Sequence, residues 1–449
     1  MSRDRAVDGL RAYAICAVVL GHWLVTGLVL APDGALHQAS PLTAMPALAP
    51  ATWLLQALGL FFFTGGYASA RSLASATARG VGHRAWSGRR LGRLARSAAV
   101  LLAMAGAAVP VAFVAGVPTP TLRTAATLAV SPLWFLLPFV ALVALTGPLR
   151  RVVERGGTVP LLLGAAGCVA VADLAVREPA VGGVPPTAYV PLAVLAAWLV
   201  PYLLGVALAA GRLGSLRRTG RALLVVGAVG IAGLVLLGGY PASAVGVPGA
   251  GRSNLNPPSL FAVCLAVAQV GAALLLRPAL SRLLDRPRWW RPVAALNRHA
   301  VRVYLCHQPV LVGVTALGAL AVRRAGGTGL PGLHSLPDGP GWIPARLAWL
   351  PLLAATLAVL VARARPPARA TDHATPPADH AIPATAHAAD ATDRATPATA
   401  PGRGQATPAT ASARSQTTPA TAPARSQAAT PPSSTRSVPT ANAASGEAR

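Results

Sequence analysis

Apolar residues run through this chain in stretches of about twenty, separated by short segments rich in arginine, glycine and proline. Ten stretches are long enough to cross a hydrocarbon core of about 30 Å as helices: residues 10–31, 52–72, 97–117, 130–147, 158–176, 188–210, 222–239, 258–276, 299–321 and 344–362. The pattern predicts an all-α, polytopic transmembrane helical bundle over residues 1–365. Pro138 and the short 148–157 loop blur the fourth and fifth spans. Polar positions interrupt the first span on one stripe. It reads DGLRAYAICAVVLGH from Asp8 to His22. An α-helix turns about 100° per residue, so the eleven-residue step from Arg11 to His22 ends about 20° past three full turns. Asp8, three residues before Arg11, shares that face. At about 1.5 Å per residue, His22 lies roughly 16 Å deeper than Arg11, near the midplane of the bilayer. Ionisable groups inside a membrane are costly and default to a functional role.

Other spans carry weaker signals. The second ends LFFFTGGYASARS from Leu60 to Ser72, where Gly65 and Gly66 allow a close backbone approach by another helix or by a ligand. The segment after it reads HRAWSGRRLGRLARSAAV. Arg90 and Arg93 are three apart on one helix face, flanked by Arg89 and Arg96. Such a set either anchors the topology or grips phosphates in bidentate fashion. Trp134, in the fourth span, is an interfacial anchor or a pocket wall. Asp173 lies near Arg177 and Glu178, which suggests a surface ion cluster. Asn254, Asn256 and Ser259 either bond a polar acceptor or cap the eighth span. The ninth span begins with His299, Arg302 and Tyr304, and His307 follows about one third of the way in, forming a second polar patch in an apolar helix.

Composition sharpens this picture. The 449 residues are 53% hydrophobic and 12% charged, with a mean hydropathy of +0.53. All 39 basic residues are arginine, and the net charge is +26. They fall in short clusters between apolar runs, without the aromatic-basic platforms of nucleic-acid binding. One alternating set of loops holds twenty of the arginines, and the opposite set holds five: Arg123, Arg177, Arg252, Arg323 and Arg324. The positive-inside rule then puts both the N-terminus and the end of the tenth span in the cytoplasm of a multi-pass cell-membrane protein. The four cysteines lie inside apolar runs without metal spacing, and no metal site is predicted. The first span has no small-residue cleavage site and is expected to stay as a membrane helix. Residues 366–449 are Ala, Thr, Pro, Ser, Arg and Gln, with eleven-residue copies at 395–405, 406–416 and 417–427. Such a tail cannot bury enough surface to offset chain entropy and is expected to be disordered.

Several of these segments occur in the order of a known family. DGLRAYAICAVVLGH, FFFTGGY, the R-x-x-R-L at Arg90 to Leu94, LWFL at Leu133 to Leu136 and VYLCHQPV at Val303 to Val310 together resemble the integral-membrane acyltransferase-3 family, which O-acylates sugars and other hydroxyl compounds. Gly65 stands where many members have serine, and LWFLLPFVAL is wholly apolar where many have acidic residues. The resemblance implies ten helices, an acyl-coenzyme A donor on the cytoplasmic side, and a required His and Arg in the first helix. On that basis His22, Arg11 and Asp8 are the catalytic candidates, with His22 a general base or an acyl relay and Asp8 orienting Arg11. Arg89, Arg90 and Arg93, with Arg11, would hold the donor's phosphates. Trp134, Tyr304 and His307 would line the pocket or polarise the carbonyl. The expected partners are the lipid bilayer, acyl-coenzyme A (acetyl by resemblance) and a carbohydrate or other hydroxyl acceptor. A transporter of a polar small molecule is the alternative, since polar residues on apolar helices also mark substrate paths.

Overall fold

A computed structural model describes residues 4–177 and 186–363. The expected disordered tail and Glu178 lie outside the described residues. Among those described, ten helical segments are long and apolar enough to cross a membrane. In chain order the elements are α1 (Arg5–Val25), a hairpin of β1 (Gly27–Leu30) and β2 (Leu36–Ala39), short helices α2 (Pro41–Ala44) and α3 (Thr52–Leu55), α4 (Leu58–Ala78), α5 (His83–Val114), α6 (Thr119–Val130), α7 (Leu136–Ala144), α8 (Thr146–Glu154), α9 (Thr158–Arg177), α10 (Pro186–Ala209), α11 (Leu216–Leu236), α12 (Leu260–Leu284), α13 (Pro287–Arg324) and α14 (Trp342–Arg363).

The helix boundaries differ from the apolar runs where local chemistry intervenes. Asp4 caps α1 by accepting from the Val7 amide at 3.2 Å. The first span was expected to run to residue 31, but the helix stops at Val25. Thr26 is extended, and the chain enters a hairpin that pairs Gly27 with Ala39. The turn signal Pro32-Asp33-Gly34 accounts for this. Asp33 accepts from the Ala35 amide at 2.9 Å, and Gly34 takes φ +80°. α5 begins at His83, so the arginine-rich segment is itself helical. The fourth span starts earlier than expected, at Thr119, and breaks at Ser131–Leu133, where a single 3-10 turn carries Pro132. The expected 148–157 loop is largely α8, with an i,i+4 pair between Arg150 and Glu154 at 2.7 Å.

Lipid tails are as apolar as leucine, so membrane helices associate through close packing of small residues. α4 and α10 meet this way. A Cβ added at Gly66 would lie 2.1 Å from the Tyr202 carbonyl oxygen, and one at Gly205 would lie 2.0 Å from that of Phe63. Gly65 faces the Phe139 ring. Both glycines of FFFTGGY therefore serve helix packing. An aromatic core closes this region: Phe62 stacks on Trp198 at 5.0 Å, and Phe135 meets Tyr304 at 4.5 Å.

The segment between α11 and α12 is bonded to itself and its neighbours. Asn254 is buried and donates to the Pro241 and Ser243 carbonyls, while Ser259 donates to Asn254. Asp173 is not part of a surface cluster. It is buried and accepts from the Tyr240 hydroxyl at 2.8 Å and the Leu260 amide at 2.7 Å. An orphan amide at the start of a helix favours an anionic acceptor, and Arg252 Nη2 lies 4.0 Å from the same carboxylate, so the buried charge is also paired.

Candidate active site

α1 packs against α4, α12 and α13. Its polar stripe meets two different surroundings. At the N-terminal end an open cleft of about 360 Å³ lies between α1 and α4. Asp4, Asp8 and Arg11 line one wall, and Tyr67, Arg71 and Ser72 the other. Asp4 accepts from Arg277 Nη2 on α12 at 2.7 Å and from the Tyr67 hydroxyl at 3.3 Å. Burial pushes the Asp4 carboxyl upward, but Arg277, the Val7 amide and Tyr67 outweigh it and hold the group below its ordinary value of 3.8. Asn297 on α13 donates to the Asp8 carbonyl at 2.7 Å, which ties the first turn of α1 to a third helix.

α5 supplies none of the residues that line this cleft but bonds one of them. Trp86 Nε1 donates to Ser72 Oγ at 3.0 Å, and the Arg90 guanidinium lies 5.7 Å from the centre of the Trp86 ring. Arg90 is half-buried and within electrostatic reach of Arg11, Arg93 and Tyr202. Like charges are brought together here by helix packing, an arrangement that suits a polyanion. Arg89 and Arg93 are exposed on the outer side of α5.

Deeper in the bundle, His22 Nδ1 stands 3.0 Å from His307 Nε2 on α13. The ring centroids are 4.9 Å apart. His307 is fully buried, and its Nδ1 bonds the Tyr304 carbonyl. A carbonyl only accepts, so His307 Nδ1 carries the hydrogen there. In a neutral His307 the Nε2 is then bare and accepts, and His22 Nδ1–H must donate to it. A neutral His22 that donates through Nδ1 has a bare Nε2, the tautomer a base or nucleophile requires. The Val18 carbonyl one turn back is a second acceptor beside the ring. Trp23 Nε1 donates to the His307 carbonyl at 3.0 Å, a second tie between the two helices beside the imidazoles.

Of the remaining candidates, Tyr304 packs on His307, with ring centroids 5.6 Å apart. The Tyr304 hydroxyl donates to the Pro132 carbonyl at 3.1 Å, while its ring packs into the Phe135 core. Trp134 is 40% exposed, and its neighbour Phe135 takes the inward place. Asp4, Arg277 and Asn297 were not singled out from sequence as site residues. Asp4 carried the signal of an N-cap position, whereas the other two read as ordinary residues at the ends of spans.

The sequence profile described as an acyltransferase domain of type 3 matches residues 4–364. The chain belongs to the acyltransferase-3 family. No curated protein and no solved structure matches it. The match runs from the cap of α1 to just beyond the end of α14, so every element of the described bundle falls within the acyltransferase domain. The protein is a multi-pass membrane acyltransferase that transfers groups other than aminoacyl groups. This decides the choice between enzyme and transporter in favour of the enzyme.

Proposed function

We propose that this acyltransferase moves an acyl group, acetyl by its family resemblance, from cytoplasmic acyl-coenzyme A to a hydroxyl of a carbohydrate or related envelope or secreted acceptor. The observation that carries this reading is the contact between His307 and His22, which lies on the same helix face as Arg11 and roughly 16 Å deeper. Arg11 and Arg90, with Arg89 and Arg93 at the margin, hold the donor's phosphates at the cleft. Asp8 steadies Arg11. The flexible arm of the donor then runs along α1 and brings its thioester to His22.

In this reaction the acceptor oxygen attacks the thioester carbonyl carbon while His22 Nε2 takes the hydroxyl proton. The carbon–sulfur bond breaks, the proton passes from Nε2 to the departing sulfur, and an ester and free coenzyme A result. His307 holds the tautomer. Tyr304 packs on His307 behind the reacting pair, and the exposed Trp134 is the candidate for contact with the acceptor. The bare Nε2 supports a second route, in which His22 first takes the acyl group and then passes it on. The excess of arginine on one set of loops supports a cytoplasmic cleft, with both termini on that side of the cell membrane.

The test is transfer from radiolabelled acetyl-coenzyme A in membranes holding the full chain. His22→Ala is expected to lose at least a hundredfold in rate, within the usual range for a general base. Retention of most of the activity removes His22 from both routes. Acid-quenched peptide mapping separates them, because only the relay leaves an acyl mass on the α1 peptide.

A further inference from the structure

Arg346 stands in the first turn and a half of α14 and is fully buried, at 0% exposure. Its Nε donates to the Trp23 carbonyl at 2.7 Å, its Nη2 to the Thr26 carbonyl at 2.8 Å, and its Nη1 to the Gly332 carbonyl at 3.1 Å. Its guanidinium lies 5.6 Å from the centre of the Trp342 ring. Among the described residues no carboxylate pairs with it, and its hydrogen-bond partners are the three backbone carbonyls. A buried charge without a counter-ion is costly, and an apolar side chain of similar volume would fill the space at less cost. Its partners explain how the charge is accommodated. The last carbonyls of a helix are orphan acceptors at the negative end of the helix dipole, and two of the three carbonyls close the end of α1.

Those two carbonyls flank the end of the turn that carries His22. Trp23, whose carbonyl Arg346 holds, also donates through its ring to the His307 carbonyl. A chain of contacts therefore runs from Arg346 through Trp23 to His307 and His22. A rotation of α1 by about 20° would move a side-chain tip about 5 Å from the helix axis by about 2 Å, enough to break the contact between the imidazoles.

We propose that Arg346 is a positioning residue for acyl transfer. It clamps the last turn of α1 from α14 and so fixes His22 against His307. This rests on the reading of His22 as the transferring imidazole, and the experiment keeps the two apart. The purified full chain in lipid nanodiscs is treated with diethyl pyrocarbonate, and carbethoxylation of His22 is followed by peptide mass spectrometry. Release of coenzyme A from acetyl-coenzyme A is measured in parallel in native membranes.

Arg346→Gln is expected to lower kcat at least tenfold, leave KM for acetyl-coenzyme A within twofold, and speed His22 labelling at least threefold. Arg346→Lys should fall between, because an ammonium is a point charge and does not reproduce a three-way fork. Thr356→Ala, on the same helix with its exposed hydroxyl bonded to the Leu352 carbonyl, should leave both readouts unchanged. Unchanged labelling and kcat in a folded Arg346→Gln overturn the proposal. If that variant does not fold, wild-type values in Arg346→Lys overturn it instead. If the wild type releases no coenzyme A while His22 labelling still rises in the variants, the clamp stands and the donor reading falls.

Discussion

At the scale of single residues, the decisive feature is a tautomer. An imidazole in a membrane interior can place its lone pair on either nitrogen, and only one placement leaves Nε2 of His22 available. The Tyr304 carbonyl makes the choice through His307. Replacing His307 is therefore expected to act on rate through His22. His307→Ala should lower the rate of acetyl transfer about a hundredfold, since the ring nitrogen that fixes His22 from α13 is then lost. His307→Gln, whose carbonyl oxygen is able to accept from His22 Nδ1–H, should lose about tenfold. Rates measured side by side in membranes check the order, and an Ala variant as active as the Gln variant would speak against the tautomer argument.

The common face of Arg11 and His22 was legible at this scale, because both lie on one helix and helical spacing alone puts them in line. His307 was legible as an anomaly but not as the partner of His22. Its role depends on a contact across 285 residues of chain. Arg346 escaped notice because a lone arginine near a span end reads as an interfacial anchor. Nothing in the linear pattern distinguishes such an anchor from a fully buried clamp.

At the scale of elements, α1 is held at both ends by residues from other helices. At its N-terminal end Arg277 and Tyr67 bond the capping carboxylate, and Asn297 bonds the first turn. The Asp4 carboxyl has a lower pKa folded than unfolded, so it contributes stability at pH values above 3.8. That contribution disappears as the pH falls through the lower, folded value and the carboxyl is protonated. Asp4→Asn keeps a capping oxygen but loses the charge. It is expected to destabilise the protein at pH 6 by roughly 1 kcal/mol, a modest figure because the Arg277 side chain is partly exposed. Thermal unfolding of the two proteins from pH 6 to pH 3 measures this, and the difference should shrink toward the acid end.

The helix ends were also where sequence reading went astray. The end of α1, the start of α5 and the break before α7 each depend on a turn, a cap or a proline that hydropathy averages away. The glycines of α4 were visible, but their use in contacting α10 follows from a crossing that no local pattern encodes.

For the whole molecule, the distribution of arginine makes a claim about orientation that is independent of the site. Ala85 is exposed at the start of α5, on the arginine-rich side, and Asp338 is exposed in the segment between α13 and α14. In right-side-out vesicles a membrane-impermeant maleimide is expected to label Asp338→Cys and spare Ala85→Cys, with the reverse in inverted vesicles. Labelling of both from one side would break the assignment of a cytoplasmic cleft, while leaving the family membership of the chain untouched.

Periodicity, composition and the spacing of charges are properties of neighbours along the chain. They sufficed to determine a ten-span helical membrane protein, the segments that enter the bilayer, the stripe of Asp8, Arg11 and His22, and the family. The tertiary structure alone decided which groups meet. It paired His22 with His307, set Arg277 on Asp4 across 273 residues, and brought Arg346 to Thr26 across 320. Such contacts depend on how helices cross, and crossings are set by packed surfaces whose parts lie hundreds of residues apart.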